Sequence, residues 1–128
     1  MDVICASLEP FDHVRLAYVF GSAVSGCLRP NSDVDVGILC STPPTPRALD
    51  HLNELLASAA QRRVDLVDLL NAPPLLAHEI IGHGRCVLSR DPAERAEFET
   101  RVIRRFVDTA YLRRIHYEAL HERSRHGP

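Results

Sequence analysis

The sequence predicts an α/β fold in which helices pack against a small mixed β-sheet. Short apolar runs of strand length alternate along the chain with longer segments whose apolar residues recur at helical spacing. At 128 residues the chain has the length of one domain, and no internal repeat or low-complexity linker divides it. We therefore expect residues 1–128 to form a single domain.

The first half of the chain predicts two strands joined by turns. A short helix is expected within residues 2–14, ending near a proline. The apolar run LAYVF predicts a strand over residues 16–20 that stops at Gly21. A short helix or turn follows from Ser22. After the turn-forming segment RPNS, the run DVDVGILC predicts a second strand over residues 33–40.

The second half of the chain predicts further helices and strands in alternation. Thr45 suits a helix cap and Pro46 a first helical position, and leucines follow at helical spacing. Asp91-Pro92-Ala93-Glu94 is a capping signature for a C-terminal helix. That helix is expected over about residues 92–120 and to fray or break before the Arg- and His-rich end. The remaining elements are a strand over 64–70, a helix over 75–81 and a strand over 85–89.

Amino-acid composition and net charge indicate which classes of protein this chain resembles. Apolar residues make up 45% of the chain, charged residues 25%, and the net charge is −2. These values are typical of a soluble globular protein and disfavour direct nucleic-acid binding. No apolar stretch has the length of a membrane span, and the acidic N-terminal segment is unlike a secretory signal. We therefore expect a cytoplasmic protein with no membrane contact.

The cysteines and histidines give no sign of a metal site. The four cysteines are scattered without the close pairs of a zinc site, so we expect reduced thiols. The seven histidines also fall at no ligand spacing and are interpreted as surface or packing residues. The cysteines are Cys5, Cys27, Cys40 and Cys86.

Two aspartates stand one residue apart in the predicted second strand. Because side chains at i and i+2 of a strand share a face, Asp33 and Asp35 project together, with Cα atoms about 7 Å apart. Without a cation, their repulsion raises the pKa of at least one carboxyl. Hard oxygen ligands are those that Mg²⁺ takes, so the pair is explained by a divalent cation bound between it and a phosphate.

The turn after the first strand predicts an anion site. A glycine at the end of a strand, here Gly21, lets the backbone approach a ligand closely. The turn that follows exposes N–H groups, and Ser22 adds a hydroxyl donor. A glycine–serine step is common after strands, so this signal is weak on its own. Ser32 is interpreted as a turn residue that orients Asp33 through a local hydrogen bond.

A third carboxylate is expected from the strand VDLVDLL. Asp65 and Asp68 are three residues apart and therefore lie on opposite faces of that strand, so only one of them can join the pair. Asp65 is preferred because it comes early in the run between Val64 and Leu66. Asp68 is then expected near the end of the strand, hydrogen-bonded or solvated.

These residues together resemble a known signature. Gly21-Ser22, ten further residues and Asp33-x-Asp35 match the pattern of the polymerase-β-like nucleotidyltransferase superfamily, and Asp65 between two apolar residues completes its triad. In size and order of elements the chain is similar to the minimal nucleotidyltransferases (MNT), which are often paired with a HEPN protein. The similarity extends from about residue 14 to residue 110.

The resemblance implies an Mg²⁺-dependent transfer of a nucleotide from an NTP to a hydroxyl. Asp33 and Asp35 would hold two Mg²⁺ ions, and Asp65 would bind one of them and act on the attacking hydroxyl. Gly21 and Ser22 would hold the triphosphate. In HEPN/MNT pairs the small enzyme is an antitoxin that moves AMP from ATP onto a tyrosine of the HEPN ribonuclease.

One departure from the MNT pattern concerns phosphate binding. The usual sequence after the glycine and serine includes two arginines, whereas this chain has Ala23 and Ser25 at those places. All fifteen basic residues of the chain are arginine, so a phosphate clamp requires arginine or backbone N–H groups. Arg29, Arg62 and Arg63 are candidates to replace the missing cations.

The sequence is also compatible with two other functions. The chain could neutralise a partner by binding alone, with a weakened site, as the departure at Ala23 and Ser25 suggests. It could instead modify a small molecule, although 128 residues leave little room for a further substrate-binding part.

The C-terminal segment has its own charge pattern. Residues 101–128 carry seven arginines against three acidic residues. This segment is interpreted as a solvated helix face or a docking surface for a partner protein, in preference to an RNA track. Tyr111 and Tyr117 are interpreted as packing residues rather than as sites of self-modification. The oligomeric state is left open.

Overall fold

The computed structural model describes residues 2–25 and 32–125. Helices and strands alternate along the chain, as the sequence predicts. The helices are α1 (Asp2–Leu8), α2 (Ser22–Ser25), α3 (Pro46–Ala60), α4 (Pro74–His83) and α5 (Pro92–Arg125), and the strands are β1 (Val14–Phe20), β2 (Val34–Cys40), β3 (Val64–Asp68) and β4 (Arg85–Ser89).

The four strands form one mixed sheet in the order β3-β2-β1-β4. β1 runs antiparallel to both β2 and β4, whereas β2 and β3 are parallel. The fold class predicted from the sequence, a small mixed sheet flanked by helices, is confirmed. Because β1 ends where β2 and β3 begin, the C-terminal end of one strand and the N-terminal ends of two others meet at one edge.

Helices cover both faces of the sheet. On one face, α1 and α3 contribute Leu8, Leu52 and Leu56 to a buried cluster with the β2 residues Val36 and Ile38. On the other face, α4 and α5 cover a second buried cluster, which contains Leu16, Tyr18, Ile80, Phe98 and Val102. A sheet buried on both faces requires apolar residues at successive positions, which explains the near-continuous apolar runs in β1 and β2.

A β-bulge at Arg15 adjusts the alternation of β1. Val14 pairs with Cys40, but Leu16 pairs with Leu39, so β1 contains one extra residue at this point. Val14 therefore packs in the α1/α3 cluster and Leu16 in the α4/α5 cluster, although residues two apart normally share a face.

Helix and strand ends follow the capping chemistry read from the sequence, with two differences. The Thr45 hydroxyl accepts a hydrogen bond from the Ala48 N–H (3.1 Å), and Asp91 accepts one from the Ala93 N–H (2.9 Å). The third strand ends at Asp68, two residues earlier than expected, because this carboxylate accepts hydrogen bonds from the Leu70 N–H and from Asn71.

The second difference concerns α5. The expectation that this helix frays or breaks before the Arg- and His-rich end is wrong, because the helix continues to Arg125. No glycine or proline interrupts the sequence from Ala93 to Arg125, and alanine, leucine, arginine and glutamate support a continuous helix.

Arg90 joins the connection between α1 and β1 to the end of β4. Its guanidinium donates hydrogen bonds to the carbonyls of Leu8, Glu9, Phe11 and Val14, at 2.9–3.1 Å. These carbonyls lie where α1 ends and the chain leads into β1, and those of Leu8 and Phe11 also accept backbone N–H groups, from Phe11 and Val14. One cationic side chain therefore holds an irregular turn against the sheet.

Within the described ranges, no helix is both long and apolar enough to cross a bilayer. Cys5, Cys40 and Cys86 are free thiols, and burial raises the pKa of the Cys40 thiol to about 11. Cys27 lies outside the described residues.

Arg90→Ala is expected to lower the free energy of unfolding by about 2 kcal/mol, because several carbonyls lose a charged donor at once. Urea denaturation followed by circular dichroism measures the change. Arg47→Ala, an exposed position on α3, is the control and should stay within about 0.5 kcal/mol of wild type. Equal stability of the two variants would show that the Arg90 contacts contribute nothing measurable.

Candidate active site

The sheet edge where β1 ends and β2 and β3 begin gathers the aspartates singled out in the sequence. In β2, Asp35 lies opposite Phe20 of β1 on one side and Asp65 of β3 on the other. Residues opposite each other in neighbouring strands point to the same face of a sheet, so Asp35 and Asp65 project together. Asp33 directly precedes β2, two residues before Asp35.

The burial pattern identifies the face on which these carboxylates lie. Val34, Val36 and Ile38 of β2 pack in the α1/α3 cluster, so the alternating Asp35 points to the opposite face, which α4 and α5 cover further along the sheet. Asp68 pairs with Ile38 and therefore points to the α1/α3 face. The structure thus brings Asp65 to Asp35 and separates Asp68 from both.

The electrostatics of Asp35 reflect this crowding. Burial raises the pKa of its carboxyl above the ordinary value, and the neighbouring carboxylates of Asp65 and Asp33 raise it further. Asp35 is half-buried, whereas Asp33 and Asp65 are exposed to solvent. Burial and the neighbouring carboxylates of the protein therefore disfavour the charged form of the Asp35 carboxyl.

Gly21 is the closest backbone neighbour of Asp35. Its φ is +74°, in the left-handed region, and a Cβ built on it would overlap Oδ2 of Asp35. Both observations require glycine at this position. The short helix α2 follows at once, and the Val24 N–H donates to the Gly21 carbonyl (3.2 Å). Ser22, the first residue of α2, is therefore placed next to the aspartates by the same turn.

A cleft of about 650 Å³ opens beside this turn, a size suited to a small-molecule ligand. Phe20, Gly21 and Val24 line one side, and Glu79 and His83 at the C-terminal end of α4 line the other. The His83 Nδ1 lies 3.1 Å from a Glu79 carboxylate oxygen. The sequence analysis did not single out Glu79 or His83 for this site, because no local motif marks residues that only tertiary packing brings to it.

Among residues 2–25 and 32–125, no group of three or more acidic, histidine or cysteine side chains is arranged so that it could hold a metal ion by itself. The donor set nonetheless fits Mg²⁺, which is commonly held by one or two carboxylates with the remaining positions filled by water and substrate phosphates. The exposed carboxylates of Asp33 and Asp65 beside the half-buried Asp35 are suited to an Mg²⁺ site of this kind, which leaves room for water and phosphate.

Ala23 and Ser25 stand at the positions where the MNT pattern has arginine. Ala23 is partly buried and packs against the α1/α3 cluster. Arg62 and Arg63 directly precede β3, and the Arg63 carbonyl accepts a hydrogen bond from the Val34 N–H (2.8 Å), which puts both arginines at the sheet edge that carries the aspartates. Arg29 lies outside the described residues, as does the side chain of Ser25.

Comparison with curated proteins identifies a relative of known activity. Protein adenylyltransferase MntA of Shewanella oneidensis is 36% identical over 72 residues, which cover 56% of this chain and 52% of that protein. The chain therefore matches about half the length of this relative.

Solved structures with the same fold come from toxin–antitoxin pairs. A chain from a toxin–antitoxin crystal structure with AMP-PNP has a TM-score of 0.84 at 26% identity, covering 93% of this chain and 96% of that chain. A chain from the complex of a tri-AMPylated Shewanella oneidensis HEPN toxin with its MNT antitoxin has a TM-score of 0.73 at 23% identity, covering 88% and 87%. The second likeness concerns the fold alone.

The family model described as polymerase beta, nucleotidyltransferase matches residues 3–93. This range contains the turn at Gly21, the pair Asp33 and Asp35, and Asp65. The resemblance inferred from the sequence motif is thereby confirmed at the level of the family. The chain belongs to the polymerase beta nucleotidyltransferase family.

Proposed function

We propose that this protein is an adenylyltransferase of the MNT group that transfers AMP from ATP to a tyrosine of a HEPN-domain toxin and acts as its antitoxin. The observation that carries the proposal is the gathering of Asp33, Asp35 and Asp65 beside Gly21 in a chain of this family. The activity named for MntA and the AMP-PNP in the structure of a similar chain support the choice of reaction and nucleotide.

Asp33 and Asp35 are the proposed ligands of two Mg²⁺ ions, with Asp65 as a further ligand. When bound, Mg²⁺ would neutralise charge on the triphosphate and favour the ionised form of the attacking hydroxyl. This assignment gives a physical reason for the carboxylate crowding, because a cation converts the repulsion around Asp35 into binding energy.

The other roles are assigned to residues around the same turn. The backbone at Gly21 and the Ser22 hydroxyl bind the triphosphate, and the cleft between Phe20 and His83 takes the remainder of the nucleotide. The acceptor oxygen forms a bond to the α-phosphorus while the bond from that phosphorus to the β-phosphate oxygen breaks. Asp65 accepts the hydroxyl proton, and pyrophosphate leaves.

A second candidate function is neutralisation of the toxin by binding alone. The observation that favours it is the alanine at position 23, which packs against the core where the MNT pattern has a cation. In this case the complex forms and protects the cell, but no nucleotide is transferred.

Asp35→Asn and Asp65→Asn are each expected to reduce transfer by about 100-fold or more, because each removes a negative ligand or proton acceptor from the reacting centre. The measurement is incorporation of label from α-labelled ATP, with Mg²⁺, into a HEPN-domain toxin of the kind proposed as the partner. Asp68→Asn is the matched control and should retain most activity, since Asp68 lies in the same strand but faces the opposite way.

The outcomes separate the two candidate functions. If wild type labels nothing and the Asp35→Asn variant still protects cells from the toxin, neutralisation by binding is correct. If wild type labels the toxin and Asp68→Asn is as inactive as Asp65→Asn, the assignment of the third carboxylate is wrong.

Mg²⁺ is expected to stabilise wild type against urea and to have little effect on Asp35→Asn. Without Mg²⁺ at pH 7, Asp35→Asn should be more stable than wild type, because the raised pKa of Asp35 makes its charged form a cost in the folded state. This difference in stability between the two proteins should disappear as the pH falls through that raised pKa toward the ordinary value of 3.8, because Asp35 of wild type then becomes protonated and neutral. Equal stabilisation of both proteins by Mg²⁺ would place the cation elsewhere.

A further inference from the structure

The C-terminal half of α5 is longer than the domain requires. The helix contains 34 residues and therefore extends over about 51 Å. Phe98 and Val102 are buried under the sheet, and the Phe106 ring stacks on His78 of α4 with 3.7 Å between ring centroids. Beyond Phe106, six large apolar side chains are between 43% and 68% exposed: Val107, Tyr111, Leu112, Ile115, Tyr117 and Leu120.

Three of these apolar residues belong to a continuous stripe on the solvent side of α5. Arg104, Val107, Tyr111, Ile115 and Glu118 follow one another at intervals of three or four residues and so share one face of the helix. We call these five residues the distal stripe. Tyr111 comes nine residues, or two and a half turns, after the buried Val102, so the distal stripe faces away from the domain.

The distal stripe is symmetric about Tyr111. Two copies of α5 that cross antiparallel at Tyr111 place Val107 of each copy opposite Ile115 of the other. The same arrangement places Arg104 opposite Glu118. Arg104 and Glu118 are of opposite sign, and the two-fold symmetry places such a pair at each end of the interface.

The two charges at the ends of the distal stripe are available for such pairing. Arg104 and Glu118 are exposed, and neither takes part in an ion pair within the described part of the chain. The α5 ion pairs that do form there lie nearer its N-terminus and use other residues, Arg95 with Glu99 and Arg101 with Glu97.

Charge also disfavours two alternative alignments of two copies. A parallel pair in register would place each charge opposite its own kind. An antiparallel pair shifted by four residues, about one helical turn, would place Arg104 opposite Arg114 in one direction, or Asp108 opposite Glu118 in the other. Like charges across an interface are unfavourable, so the antiparallel register centred on Tyr111 is favoured over these alignments.

We propose that this protein forms a symmetric dimer through antiparallel packing of the distal stripes of two α5 helices. The apolar residues around Tyr111 supply the driving force, since they are otherwise left in water. The flanking ion pairs are weak individually, and they determine direction and register rather than affinity. The inference does not rest on the proposed enzymatic function, because it uses no residue of the candidate active site.

The first test is charge reversal followed by sedimentation equilibrium of the full chain. Wild type is expected to be a dimer. Arg104→Glu and Glu118→Arg should each raise the dimer dissociation constant about tenfold or more, because the symmetric interface contains the altered pair twice. The double variant Arg104→Glu/Glu118→Arg should restore the wild-type value. Arg47→Glu, an exposed charge on α3, is the control and should have no effect.

A second test locates the two-fold axis. Tyr111→Cys is expected to form a disulfide-linked dimer under mild oxidation, because residue 111 faces its own copy. Val107→Cys should not do so alone but should crosslink in the double variant Val107→Cys/Ile115→Cys. Wild type, which carries the same native cysteines, is the background measurement.

Three outcomes overturn the proposal. One is a wild type that is monomeric at every concentration tested, which includes the case in which only the HEPN partner covers this face. Another is a dimer that neither single charge reversal weakens or that the double variant does not restore. The third is crosslinking of Val107→Cys that equals that of Tyr111→Cys.

Discussion

The placement of like charges at one edge of the sheet is the constraint on which the site depends. The parallel register of β2 and β3 sets Asp35 beside Asp65, and the pleat puts both on the face that Asp33 shares. Burial and the neighbouring carboxylates raise the pKa of Asp35. A cation bound among these carboxylates, as proposed, would offset this cost.

The rest of the fold holds that edge in place. Apolar clusters on both faces fix the sheet between α1 and α3 on one side and α4 and α5 on the other. The regular pairing of β1 with β2 brings Phe20 opposite Asp35, so that the strand ends with Gly21 against the Asp35 carboxylate. Gly21 tolerates no side chain there, because both its φ and the space above it exclude one. Packing energy spread over the whole domain thus maintains a local arrangement that is unfavourable by itself.

The two ends of α5 have different physical roles. Its first turns pack on the sheet, and there Tyr18 donates to Glu99 (2.7 Å), which also accepts from Arg95. Its C-terminal half leaves the domain and exposes apolar residues between charges of alternating sign. The proposed chemistry at the sheet edge and the proposed association along the helix therefore use separate parts of one small domain.

The sequence by itself determined the fold class and two helix caps, at Thr45 and Asp91, and it singled out the residues of the candidate site. Capping, alternation and the spacing from Gly21 to Asp35 are local properties of the chain. Strand periodicity separated the faces of Asp65 and Asp68, and the early position of Asp65 in its run, between Val64 and Leu66, favoured it over Asp68. Only the tertiary structure decided that Gly21 lies against Asp35 and that Glu79 and His83 line the cleft. Those features depend on contacts between elements distant in sequence, and no local pattern encodes which residues such contacts bring together.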